Sequence, residues 1–288
     1  MKNRNIFKNA VTFLLLVLFA AVSFSGLSGC SAFKKKYEKN EVREYKINTS
    51  GKTKLSVDNT NGKIRIFRSE KDSVMTVKVD ISKYVTKKEM DNPIKGVDVD
   101  IDSAGSEIKI SESIEKDKGV FKFDIGKSTT VNFDIYVPAG ISVKIDGTNG
   151  KLEIEGVGND ISADITNGNV KIVKAYGNLK FDLTNGNLNA NVDSTKGIDF
   201  ETVNGNITLN IGKDFSGVFK AKTVNGKIVR KNLNFDKSNE FVESDESVES
   251  DEFIDSNEWK KDFKGSIGKS DARINLNTTN GKITIARY

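Results

Sequence analysis

Asp146-Gly147-Thr148-Asn149-Gly150-Lys151-Leu152-Glu153-Ile154 opens a stretch, running to Arg230, in which one short phrase recurs five times. After Asn149-Gly150 come Asn167-Gly168, Asn185-Gly186, Asn204-Gly205 and Asn225-Gly226, at steps of 18, 18, 19 and 21 residues. Asn61-Gly62 and Asn280-Gly281 bracket the run. A fixed period near 20 residues marks a repeat architecture. Asn-Gly tolerates positive φ, because glycine has no Cβ and the Asn side chain bonds its own backbone. Apolar and polar residues alternate on both sides of each pair, as in Ile161, Ala163 and Ile165, then Val170 and Ile172. That period of two is a strand with one buried face. A second turn rich in Gly and Asn halves each period.

Two architectures fit this unit. Asn-Gly between alternating strands signals a hairpin, which would give an antiparallel β-meander or sandwich. The other is an all-β solenoid, parallel β-helix-like, with coils of about 18–21 residues whose equivalent turns stack. Parity does not separate them, since both place the residues two before Asn and two after Gly on one face. Identical turn chemistry at near-constant spacing favours the solenoid, because stacked Asn side chains can bond coil to coil.

The chain begins with an address. Lys2, Arg4 and Lys8 precede the apolar run 10–22, which is shorter than the ~20 residues of a membrane span and suits a secretory signal. It ends in Leu27-Ser28-Gly29-Cys30, which resembles a bacterial lipobox, and Cys30 is the only cysteine. The expected plan is a lipoprotein signal peptide at 1–29 and a lipidated Cys30 with a basic tether at 30–45. A β-strand-repeat domain follows at 46–288, interrupted by an acidic flexible loop at 234–262. Two acyl chains make such an anchor stable, and the protein is then expected on the extracytoplasmic face of the cell membrane. The lysines of the tether (Lys34, Lys35, Lys36 and Lys39) read equally as a patch for anionic head groups or as a solvated linker. Removing the three signal charges from the formal +5 leaves about +2, so no nucleic-acid partner is expected.

Between Tyr45 and Tyr136 short alternating runs continue, including Val74 to Ile81, Val97 to Ile101, Glu107 to Ile110 and Phe121 to Ile125. Lys83 to Met90 reads as a turn or two of helix. Ile135-Tyr136-Val137-Pro138-Ala139-Gly140-Ile141-Ser142-Val143, with the Asn149-Gly150-Lys151-Leu152 that follows, resembles the bacterial β-strand-repeat family of adhesin-like domains of unknown function. Leu55 to Gly62 and Ile274 to Ile285 are similar to it as well. The resemblance spans roughly residues 45 to 288. It implies a solenoid-like, secreted or lipid-anchored domain, with some relatives tied to envelope stress responses, and it supplies no catalytic residues.

Much chemistry is excluded. The chain has no histidine, so the commonest general base and zinc ligand are missing, and Cys30 is committed to lipid. No phosphate-loop or nucleophile-elbow motif occurs. The acidic run Glu243 to Glu252 cannot bury enough apolar area to order itself, and it lacks the glycine-punctuated spacing of a calcium loop. No catalytic, cofactor or metal site is expected. The reading is a non-catalytic surface lipoprotein that binds or senses envelope components, a protein or a glycan. Contacts are expected on exposed strand positions such as Lys151, Glu153, Lys171, Lys174 and Lys180, or on the acidic loop. The rival is a carbohydrate-active enzyme using a carboxylate pair on cell-wall polysaccharide.

Overall fold

Alternation along the chain sets each strand, and the computed structural model describes residues 36–115, 129–236 and 261–288. The strands are β1 Lys36–Asn48, β2 Lys54–Asn61, β3 Ile64–Arg68, β4 Val74–Thr86, β5 Val97–Asp102 and β6 Glu107–Ile114. Next come β7 Thr130–Val137, β8 Ser142–Asn149, β9 Leu152–Glu155, β10 Ile161–Asn167, β11 Val170–Val173 and β12 Asn178–Asn185. The chain ends with β13 Leu188–Val192, β14 Gly197–Asn204, β15 Ile207–Ile211, β16 Gly217–Lys231, β17 Asp262–Ile267 and β18 Arg273–Arg287. One 3-10 turn, Lys87–Glu89, stands where a turn or two of helix is read from the sequence. The run at 121–125 and most of the acidic loop lie outside the described residues.

The protein is all-β, and its strands form one large, mostly parallel sheet. The Asn-Gly pairs do not close hairpins. β8 bonds to β2 and β10, while β9, which follows it across Asn149-Gly150, bonds to β3 and β11. Strands before each Asn therefore build one parallel ladder, ordered β6, β2, β8, β10, β12, β14, β18, β16. Strands after each Gly build a second, ordered β7, β3, β9, β11, β13, β15, β18, β16. β16 and β18 run through their Asn-Gly pairs and belong to both. Side chains facing inward from the two ladders share one core, with Phe133, Phe181, Phe200 and Phe219 among its largest members.

The turns differ from the expectation of positive φ in a way that explains the glycine. None of the Asn residues of the pairs has positive φ, and only Gly62, Gly150 and Gly186 do, at +139°, +156° and +152°. What every period shares is a close approach. A Cβ on Gly150 would strike the carbonyl of Gly62, one on Gly168 that of Gly150, and one on Gly186 that of Gly168. The same holds for Gly205 on Gly186, Gly281 on Gly205 and Gly226 on Gly281. At Gly168, Gly205, Gly226 and Gly281 glycine is required because the backbones stack turn upon turn, and at Gly62, Gly150 and Gly186 the positive φ adds to that requirement.

Spatial order also departs from chain order. The last strand, β18, lies between β14 and β16, so Asn280 separates Asn204 from Asn225. Both ends of the ladders carry antiparallel strands: β4 pairs with β7 and β1, β5 with β6, and β17 with β16. Part of the stretch read as a tether is therefore sheet. Lys36 to Tyr45 pairs residue for residue with β4, and Lys39 and Glu41 are buried. The Lys39 ammonium donates to the carbonyls of Glu89, Met90 and Asn92. Glu41 accepts from the Ile94 amide at 2.6 Å and from Arg43 Nε at 2.7 Å. Burying a charge is tolerated when it is paired and hydrogen-bonded in this way.

Candidate functional site

The Asn-Gly residues named from the sequence come together as a single column along one corner. Asn149 Nδ2 donates to Asn61 Oδ1 at 3.1 Å, Asn167 to Asn149 at 3.1 Å, and Asn185 to Asn167 at 2.9 Å. Asn204 then donates to Asn185, Asn280 to Asn204 and Asn225 to Asn280, at 2.8, 2.8 and 2.9 Å. Beneath it the Thr202, Thr278 and Thr223 hydroxyls donate to the carbonyls of Gly186, Gly205 and Gly281. The amides are occupied in holding rung to rung, so this column is scaffold. Cys30 lies outside the described residues.

The outward faces of the ladders are where a ligand has access. On the first ladder, Asp58, Asp146, Asp164, Asp182 and Glu201 occupy the same position of successive rungs, three residues before the Asn. The periodic signal was present in the sequence, but it is visible only when the pairs are aligned. Adjacent strands lie ~4.8 Å apart, so like charges stack at that interval. Lys144 bonds Asp146 at 2.9 Å, and Lys180 lies 4.0 Å from Asp182. Burial pushes the Asp182 carboxyl up; Lys180 opposes this, and Glu201, Asp164 and Asp199 add to it. Burial and Asp146 do the same to Asp58.

A raised folded-state value means that the folded protein takes up the proton before the unfolded chain does. Stability from these groups therefore increases as pH falls from neutrality through the raised value, and it levels off once the unfolded carboxylates are protonated too. Asp182→Asn is accordingly expected to raise the melting temperature at neutral pH. The gain is roughly 0.2–1 kcal/mol, the scale of cross-strand charge pairs, and it should shrink in mild acid. Thermal melts at the two pH values check it; equal destabilisation at both would mean that Asp182 is held by favourable contacts.

The second ladder is different. Glu153 and Lys171 face outward from β9 and β11 and Lys151 is exposed just before β9, as the sequence predicts, with Lys63 3.9 Å from Glu153. On the next two strands the outward positions are uncharged, Asn189 and Asn191 on β13 and Thr208 and Asn210 on β15, with Asn187 and Asn206 just before them and Asp193 just after β13. Charge returns beyond them at Lys282 and Lys227. A shallow depression of about 500 Å³ opens over the β9 to β15 part of this face. Lys180 lies instead on the first ladder, and Lys174 sits at a corner with φ of +53°. The sequence-named residues thus fall on two faces and a corner.

At the end of the neutral strip stand two exposed tyrosines. Tyr288 Oη donates to Asp193 Oδ1 at 2.6 Å, and its backbone amide bonds the Ile211 carbonyl. The hydrogen bond to Asp193 pushes the phenol up to about 12, and Tyr176 is close enough to contribute electrostatically. Neither tyrosine was singled out by its sequence, because only the stacking of rungs brings residues 176, 193 and 288 together.

Among the described residues no group of three or more His, Cys, Asp or Glu side chains is arranged to hold a metal ion. The fold and these faces define an all-β, repeat-built protein with a polar exterior. No protein-family model matches the chain, and no curated protein matches it. Among solved structures it is similar to a candidate cell adhesion protein from Clostridium sporogenes ATCC 15579, at 16% identity and a TM-score of 0.43, covering 88% of this chain and all of that one. It is similar to a candidate adhesin from Bacteroides fragilis NCTC 9343, at 16% identity and 0.40, covering 87% of this chain and 97% of that one. A candidate adhesin from Parabacteroides merdae ATCC 43184 follows at 10% and 0.27, with coverages of 86% and 96%. At such identities and TM-scores, nothing of their roles is carried over to this chain.

Proposed function

We propose that the two ladders are the walls of a β-solenoid, displayed outside the cell from a lipidated Cys30, whose outward faces bind envelope material without catalysis. The observation that carries this reading is the in-register repetition of one side-chain type on successive rungs, such as Asp58, Asp146, Asp164 and Asp182. Repetition at strand spacing suits a polymeric or multivalent ligand, because each rung adds a similar contact. β1 starts six residues after Cys30, a reach of at most about 20 Å when extended. An acyl anchor there holds the β1–β4 end at the membrane and directs the ladders outward.

The carbohydrate-active rival would draw on the stacked carboxylates, where like acids adjoin in register and burial raises Asp58 and Asp182. Incubating the full chain with cell-wall preparations separates the two: saturable retention without product supports binding, and turnover supports the rival. Cys30→Ala is expected to shift the protein from the membrane to the soluble fraction on cell fractionation. Unchanged membrane association would remove the anchor from the reading.

A further inference from the structure

We infer that the neutral strip on β13 and β15, together with Tyr176 and Tyr288, is a binding site for an uncharged glycan chain. The inference rests on the reading of this protein as a binding scaffold and names the ligand of one face. Its first support is charge. In a chain that is 30% charged, the four outward positions of two adjacent strands carry three Asn and one Thr. Glu153 and Lys171 bound them on one side, and Lys282 and Lys227 on the other. An anionic polymer finds no cation on these two strands, whereas hydroxyls find both donors and acceptors in each amide.

Asn187 and Asn206, just before the strands, are spent on the neighbouring rungs, but the side chains on the strands themselves have capacity to spare. Asn189 and Thr208 make no side-chain hydrogen bond among the described residues, and Asn210 gives one N–H to Asn191 at 2.8 Å. This contrasts with the corner column, where each Asn is spent on the next. The second support is aromatic. Tyr176 and Tyr288 are 40% and 56% exposed, in a protein whose other large side chains are mostly buried. They stand at the end of the strip, one on each side of Asp193 along the stack. An exposed ring with an apolar face and a polar tip is suited to the C–H face of a sugar beside its hydroxyls. Gly212 leaves the rung between Asp193 and Tyr288 clear, since a Cβ there would lie 2.8 Å from Asp193 Oδ1. The third support is spacing: the ~4.8 Å between rungs is close to one sugar unit of an extended chain, so successive units meet successive amides.

The test uses the full-length protein in detergent against neutral hexasaccharides of glucose and of N-acetylglucosamine, with an oligogalacturonate of equal length as the anionic contrast. Retention of a neutral hexasaccharide over the anionic one is expected. Tyr176→Ala and Tyr288→Ala should each weaken it about tenfold, and Asn189→Leu should weaken it too. Tyr288→Phe, which keeps the ring and loses the bond to Asp193, should retain most of the binding. Unchanged melting temperatures show that the variants are folded. If the protein retains envelope material but no neutral glycan, or if retention survives periodate and is abolished by protease, the glycan assignment is overturned and the scaffold reading stands. Retention that is indifferent to Tyr176→Ala also overturns it. Failure to retain any envelope material removes both.

Discussion

Gly168→Val is expected to cost about 3 kcal/mol or more, the upper end of overpacking in a closed site, or to prevent folding. Gly168 has no left-handed φ to lose. Its substitution instead places a side chain where the Gly150 carbonyl already stands, within 3.2 Å of Ile165 Cγ2 as well. Relief requires the two rungs to part. Parting breaks the bonds from the Gly150 amide to the Asn167 carbonyl and from Asn167 Nδ2 to Asn149, both at the same corner. Two controls separate this cause from ordinary backbone effects. Gly140 has φ of +83° and open space around its Cβ position, so Gly140→Ala should cost only the ~1–2 kcal/mol of a left-handed residue. Gly158 has open space and no special φ, so Gly158→Ala should be neutral or slightly stabilising. The order Gly168, Gly140, Gly158 in denaturant midpoints is the expected result. A Gly168 variant no worse than the Gly140 one would mean that the turns do not touch.

The sequence carried the repeat and the inward residues because both are local. A strand's alternation and an Asn-Gly pair are legible within ten residues, and the ladders preserve them in register. What pairs with what is not local. Nothing in the alternation of Val74 to Ile81 says that β4 runs antiparallel to β7 while β8 runs parallel to β2. Lys39 and Glu41 hid the strand β1, since charge normally marks solvent and here marks a hydrogen-bonded interior. The exchange of rung order at the far end did leave a trace. The step from Asn204 to Asn225 is 21 residues against 18 and 19 before it, and the chain between β15 and β16 must pass over the rung that β18 fills. The carboxylate column was equally available, three residues before each Asn. The neutral strip was not, because its meaning depends on which strands lie on either side.

A chain ending at Ser270, and so lacking β18, is expected to lose its cooperative unfolding transition. β18 is the last segment of the sequence but an interior strand of both ladders, and Ile274, Leu276, Ile283 and Ile285 are at most 1% exposed. Burial of each contributes ~1.5–3 kcal/mol, so their removal withdraws as much as ~6–12 kcal/mol, comparable with the whole stability of a typical domain. Both flanks are then left open: β14 and β15 lose partners on one side, and β16 loses the only strand among the described residues that its second half pairs with. The chain has one way to compensate. Thr223-Val224-Asn225-Gly226 matches Thr202-Val203-Asn204-Gly205, so β16 could settle directly on β14 with Asn225 over Asn204. The segment 212–216 is shaped to span two rungs, with Phe215 buried and its amide bonded to the Gly212 carbonyl, and closing the gap breaks that packing. Thermal melts of the truncated chain decide the matter, and adding residues 271–288 as a separate peptide refines it. Recovery of the transition on adding the peptide shows that a slot for β18 persists between β14 and β16. A truncated chain that melts within a few degrees of the intact one would show that β16 takes the vacant place and that the interior position of the last strand contributes little.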